Sequence, residues 1–113
     1  MDLTGVFVPL VTPFDESDNV DLDRVETIVE SMLAAGVHGI VACGTTGEGY
    51  SLSLDERRAV TSRIHDVVAG SVPVLGAVGG MSTAQALEHA AITSHLRLDG
   101  LMLTAPAYSL PTP

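Results

Sequence analysis

The most unusual stretch of the chain is Gly44-Thr45-Thr46-Gly47-Glu48. Consecutive threonines bring backbone amides and hydroxyls together. Glycines at 44 and 47 admit positive φ and a close approach of backbone to a ligand. Converging amides hold a carboxylate without help from lysine or arginine. Gly44, Thr45 and Thr46 are therefore candidate anion-binding residues. The same letters also suit a plain Gly/Thr turn before a capped helix, its hydroxyls bonding their own backbone. The stretch is neither a Walker loop nor a GxGxxG fingerprint.

Other residues carry weaker signals. Tyr108 follows a predicted strand, where a phenol can relay protons or pack as a rim aromatic or subunit anchor. Tyr50 reads in the latter way, as a rim aromatic against a loop or a subunit anchor. Cys43 has no base indicated nearby and reads as a small buried thiol. Glu48 suits a general base, or a loop carboxylate held by a charge or hydrogen bond. His38, His65, His89 and His95 lack metal-ligand spacing, so no metal site is expected. His65 and His89 read as helix-surface residues. Asp55-Glu56-Arg57-Arg58 reads as a solvated helix start, with its acids at the positive end of the dipole.

The elements that must position these residues alternate in period. Gly5 to Val11 is a short β-branched run that predicts a buried strand. Asp21 is an N-cap for a helix carrying Leu22, Val25, Ile28, Val29, Met32 and Leu33, stopped at Gly36. Gly39 to Cys43 is a second strand. Ser53 and Glu56 form a capping box, opening a helix with Leu54, Val60, Ile64, Val67 and Val68 that stops at Gly70. Val72 to Val78 is the third strand, with Pro73 near its start. Ser82 and Gln85 form a second capping box, opening a helix with Leu87, Ala90, Ala91 and Leu96. Gly100 to Thr104 is the fourth strand. Val37-His38-Gly39-Ile40-Val41 and Leu98-Asp99-Gly100-Leu101-Met102 share one form at two strand starts.

The order β-α-β-α-β-α-β, with strand centres roughly 30 residues apart, is the pitch of repeated βαβ units. A small doubly wound sheet fits, and so does the first half of a (β/α)8 barrel. The second is favoured because the chain stops just past strand four with no helix to cover it. Residues 1–113 are expected to be a partial barrel domain truncated there. In either fold, sites lie at the C-terminal ends of strands.

Composition narrows the classes. The chain has 113 residues, 46% apolar and 17% charged, with a mean hydropathy of +0.37. That excludes a disordered chain, and no apolar run reaches the roughly 20 residues of a membrane span. The net charge of −9 argues against a nucleic-acid partner. All five basic residues are arginines, and lysine is absent. The single cysteine, Cys43, excludes an internal disulfide. No signal peptide is read at Met1-Asp2-Leu3, so a cytoplasmic location is the default expectation.

Several motifs occur in one order: Val8-Pro9-Leu10-Val11-Thr12-Pro13-Phe14, Gly44 to Glu48, Leu52-Ser53-Leu54-Asp55-Glu56-Arg57, Pro73-Val74 with Gly79-Gly80 and Ser82-Thr83, and Pro106-Ala107-Tyr108. In this the chain resembles the dihydrodipicolinate synthase / N-acetylneuraminate lyase family of pyruvate-dependent class I aldolases, over their N-terminal part only. The resemblance implies a (β/α)8 barrel, usually a homo-oligomer, that needs no cofactor. It also implies a lysine on a later strand that forms a Schiff base with pyruvate, whose enamine attacks an aldehyde. The region of Thr45 and Thr46 would bind the pyruvate carboxylate. The Thr45 hydroxyl and Tyr108 would serve a proton relay, with Tyr108 reaching a neighbouring subunit.

Thr45-Thr46 is similar to the synthase branch, which joins pyruvate to aspartate semialdehyde in lysine biosynthesis. Gly49-Tyr50-Ser51, Ala107 and Ser109-Leu110 depart from that branch around the second substrate, and keep the family's sugar-acid and N-acetylneuraminate-type aldolases open. A non-catalytic half-barrel used for binding or assembly is the further alternative. Without a lysine, residues 1–113 are expected to be inactive on their own.

Overall fold

In the computed structural model, which describes residues 2–106, β1 is Phe7–Pro9, β2 Gly39–Ala42, β3 Val74–Val78 and β4 Gly100–Leu103. Helices α1 (Leu22–Ala34), α2 (Leu54–Val68) and α3 (Thr83–His95) connect them. All pairings are parallel and the sheet order is β1-β2-β3-β4. A doubly wound sheet reverses direction at a switch point. This one does not, and its helices share one face.

Alternation along the strands sorts two faces. Ile40, Ala42 and Val74 meet Val25 and Val29 of α1 and Val60, Ile64 and Val68 of α2 in the core. Gly76 lies on the same face. A Cβ there would stand 2.2 Å from the Thr93 hydroxyl of α3, so the glycine lets α3 sit close. Val41, Ala77 and Met102 point to the other face, in register with Pro9, Leu75 and Gly100.

β1 is narrower than the Gly5 to Val11 run: Val6 and Val11 are exposed and unpaired in the sheet. Pro9 is tolerated because Leu10 N, two residues after Val8, supplies the bond to Val41 O at 3.1 Å. The missing proline donor therefore faces the outer edge of β1.

The echo between residues 37–41 and 98–102 has a physical meaning. His38 Nδ1 accepts from Val6 N at 3.0 Å, and Asp99 Oδ2 accepts from Val74 N at 2.8 Å. In both, the polar residue before a strand-opening glycine satisfies an amide at the start of the preceding strand.

The helix starts follow their caps. Asp21 accepts from Arg24 N at 2.9 Å. Ser53 and Glu56 complete a reciprocal box. The second box is only half formed. Ser82 accepts from Gln85 N at 3.2 Å, but Gln85 Oε1 takes Met81 N at 2.8 Å instead of the cap amide. The turn after Gly79-Gly80 presents Met81 N first. No helix among the described residues is long and apolar enough to cross a membrane.

Candidate active site

The loop from Cys43 to Ser53 leaves the C-terminal end of β2 and feeds α2. Gly44 is buried at its base. A Cβ there would touch Met102, Ala77 and Val41 at 3.5 to 3.9 Å, which places Gly44 over the face of the sheet turned away from the helices. Glu48 N bonds Thr45 O and Gly49 N bonds Gly44 O, both at 3.0 Å, so the stretch closes on itself. Thr12, just after β1, donates its hydroxyl to Gly47 O at 2.6 Å.

The positive φ angles fall elsewhere than expected. Neither Gly44 nor Gly47 adopts one. Cys43 (54°) and Glu48 (53°) do, and both are non-glycine residues for which this region is costly. Gly47 is needed for another reason: a Cβ would lie 2.7 Å from Leu10 O, so its close approach is to the chain after β1.

Thr45 and Thr46 are exposed. Among the described residues, their hydroxyls and the amides of residues 44–47 donate to no protein acceptor. The turn reading required those hydroxyls to bond their own backbone, and they do not. Tyr108 lies outside the described residues, as do Ala107, Ser109 and Leu110.

Arg57 and Tyr50 lie beside this loop. Arg57 is not part of a solvated helix start. It is 5% exposed, while Asp55 and Arg58 beside it face water. Burial pushes its pKa below the usual arginine value. Tyr50 is at the rim as expected, but its hydroxyl is engaged, 2.9 Å from Thr104 Oγ1. The Thr104 hydroxyl in turn donates to Val78 O at 3.3 Å, which leaves Tyr50 as donor. Gly44, Thr45, Tyr50, Arg57, Gly79 and Thr104 line a crevice of about 10 Å³, room for about one water. The departure at Gly49-Tyr50-Ser51 was the sequence signal for Tyr50. Nothing local marked Arg57.

His89 is also corrected. It is half-buried against the Gly79 turn, its Nδ1 has no partner, and burial, then the Arg57 charge, lowers its pKa. His65 keeps its surface position beside Asp66. Glu48 is exposed, without an ion pair among the described residues. Cys43 is buried, its Sγ 3.5 Å from Thr61 Oγ1, and burial raises its pKa. Little thiolate exists at pH 8. An aromatic disulfide reagent should leave the folded chain unlabelled at that pH and label it fully in guanidinium chloride; rapid labelling of the folded chain would contradict the burial.

The sequence model of the dihydrodipicolinate synthetase family matches residues 2–113. The chain belongs to this family. It is 39% identical over 113 residues to the 4-hydroxy-tetrahydrodipicolinate synthase of Sorangium cellulosum, covering 99% of this chain and 38% of that protein. The chain thus spans about 38% of the length of the curated relatives it matches. The chloride-inhibited dihydrodipicolinate synthase of Acinetobacter baumannii, solved in complex with pyruvate, superposes with a TM-score of 0.93 at 34% identity, over 98% of this chain and 38% of that one. CdNal of Clostridium difficile, solved with mannosamine, gives 0.92 at 26%, over 99% and 39%. The four strands and three helices are therefore the N-terminal half of this family's (β/α)8 barrel, and the helix-free face of the sheet is its interior.

Proposed function

We propose that residues 1–113 are the N-terminal part of a pyruvate-dependent lyase of the 4-hydroxy-tetrahydrodipicolinate synthase type. The loop at Gly44, Thr45 and Thr46 receives the pyruvate carboxylate. The observation that carries this reading is the set of free amides and threonine hydroxyls at the C-terminal end of β2, above the barrel interior. Carboxylate oxygens accept from such donors, and charge-assisted bonds of this kind are the strong ones.

In this reading, a lysine from outside residues 1–113 attacks the C2 carbonyl of pyruvate. Loss of water gives the imine, and loss of a C3 proton gives the enamine. The enamine adds to the aldehyde carbon of aspartate semialdehyde. The Thr45 hydroxyl and Tyr108 pass the protons that these steps take up and release. The active form is a cytoplasmic homo-oligomer.

Thr45→Val and Thr46→Val test the carboxylate site directly. Each should weaken pyruvate binding about 10- to 100-fold, as for a lost bond to a charged group, in a ligand-observed NMR titration. Unchanged affinity in both overturns the assignment.

A second reading, a sugar-acid or N-acetylneuraminate-type aldolase of the same family, is favoured by Tyr50. Its hydroxyl is engaged at the crevice, at a position where the resemblance to the synthase branch breaks. The two readings share the pyruvate half and part at the aldehyde. Comparing turnover of aspartate semialdehyde with that of sugar aldehydes in the lysine-bearing protein separates them.

A further inference from the structure

Arg57, in the first turn of α2, makes three hydrogen bonds, all to backbone carbonyls. Nη1 donates to Ala77 O near the end of β3 at 2.7 Å. Nη2 donates to Gly49 O at 2.9 Å and to Cys43 O at 3.3 Å. One nitrogen thus holds the residue that opens the Gly44–Gly47 loop and the residue that closes it. The other nitrogen ties both to the neighbouring strand. The planar fork of a guanidinium supports this arrangement, whereas an ammonium offers a single point charge.

Gly49 supplies independent support. Its φ is not positive, so conformational freedom does not explain it. A Cβ on residue 49 would lie 1.9 Å from Cys43 O and 2.7 Å from Arg57 Nη2. The fork reaches its acceptors only because residue 49 has no side chain.

The charge is also unusual. Buried cations ordinarily sit against a carboxylate, because desolvation is expensive. Among the described residues Arg57 has no ion-pair partner, although Arg58 and Arg63 do, and its buried Nε has no acceptor. Arginine keeps its proton under such conditions. A positive charge balanced only by carbonyl dipoles therefore lines the same crevice as Gly44 and Thr45, in a chain of net charge −9. Low-dielectric walls focus such a field locally, even where the protein as a whole repels anions.

We propose that Arg57 is the positioning residue of the anion-binding loop: it clamps both ends of the loop to β3 and supplies the positive charge that a carboxylate at Thr45 and Thr46 meets. The second half rests on the pyruvate-lyase reading above, and the first half does not.

The test uses the whole 113-residue chain, in whatever assembly it forms, with two readouts. Amide hydrogen exchange at Glu48 and Gly49 reports the clamp without any ligand. The ratio of affinities for pyruvate and for neutral pyruvamide reports the charge, because a purely structural defect weakens both ligands alike. Arg57→Met should speed loop exchange at least tenfold while α1 keeps its protection, and should lower the ratio about tenfold. Arg57→Lys should speed exchange similarly yet retain most of the ratio. Gly49→Ala should match Arg57→Lys in exchange, and combining it with Arg57→Met should add little, because both break one contact.

If Arg57→Met does not fold, Arg57→Lys carries the exchange test alone. Unchanged loop exchange in the folded variants overturns the clamp. An unchanged ratio in Arg57→Met, or a ratio that falls equally in Arg57→Lys, overturns the charge. Failure of the unmodified chain to bind pyruvate removes the ligand reading and the charge role together, and the exchange data still decide the clamp.

Discussion

Treated with pyruvate and borohydride, residues 1–113 are expected to yield no adduct on any side chain. An imine with pyruvate needs an amine whose pKa the site has lowered. The chain has no lysine, and its five basic residues are arginines that stay protonated. The one remaining amine is the α-amine of residue 1, which is not a side chain. Intact mass after reduction, followed by peptide mapping, checks this. A reduced adduct on an internal residue would sink the expectation. A longer chain that carries lysine on a later barrel strand should instead trap one adduct. The two results together would separate the carboxylate half of the site from its covalent half.

The same 113 residues should also associate. Leu101 and Leu103 on β4 are 54% and 74% exposed, and Leu87 on α3 is 66% exposed. Among the described residues no strand pairs with the outer edge of β1 or of β4. Parallel sheets normally bury both faces, and open edges with apolar neighbours recruit further chains. Covering one such leucine is worth about 1.5–3 kcal/mol, enough to drive dimers at micromolar concentration when several act together. Sedimentation should show species above 11.7 kDa, with a melting temperature that rises with concentration. Leu101→Ser with Leu103→Lys should shift the chain toward monomer. A monodisperse monomer that melts cooperatively would refute this.

What could be read from the sequence depended on how local its cause was. Asp21, Ser53 and Glu56 were legible because a cap involves residues three apart. The strands at 39–42 and 74–78 were legible from their apolar runs, and the repeated polar-Gly form at 38–39 and 99–100 marked two strand starts. The loop at 44–48 stood out by composition. Arg57 did not, because Asp55 and Arg58 beside it are solvated and only the approach of β3 and Gly49 buries the residue between them. The left-handed backbone at Cys43 and Glu48 was hidden for a similar reason: tertiary closure imposes it on residues that do not favour it, while Gly44 and Gly47 are small for the sake of neighbours. His89 looked like a surface residue until the Gly79 turn folded over it.

The sheet order carries a consequence for synthesis. Because each strand lies beside the one just before it in the chain, every new strand leaves the ribosome with its partner already outside. Contacts close over one βα unit at a time, which keeps the loop entropy of each step small. Growth is therefore a winding that proceeds from β1 to β4. Besides the outer edge of β1, the most recently added strand always presents an open edge, and a nascent chain that pauses after any unit carries that sticky rim until the next unit covers it.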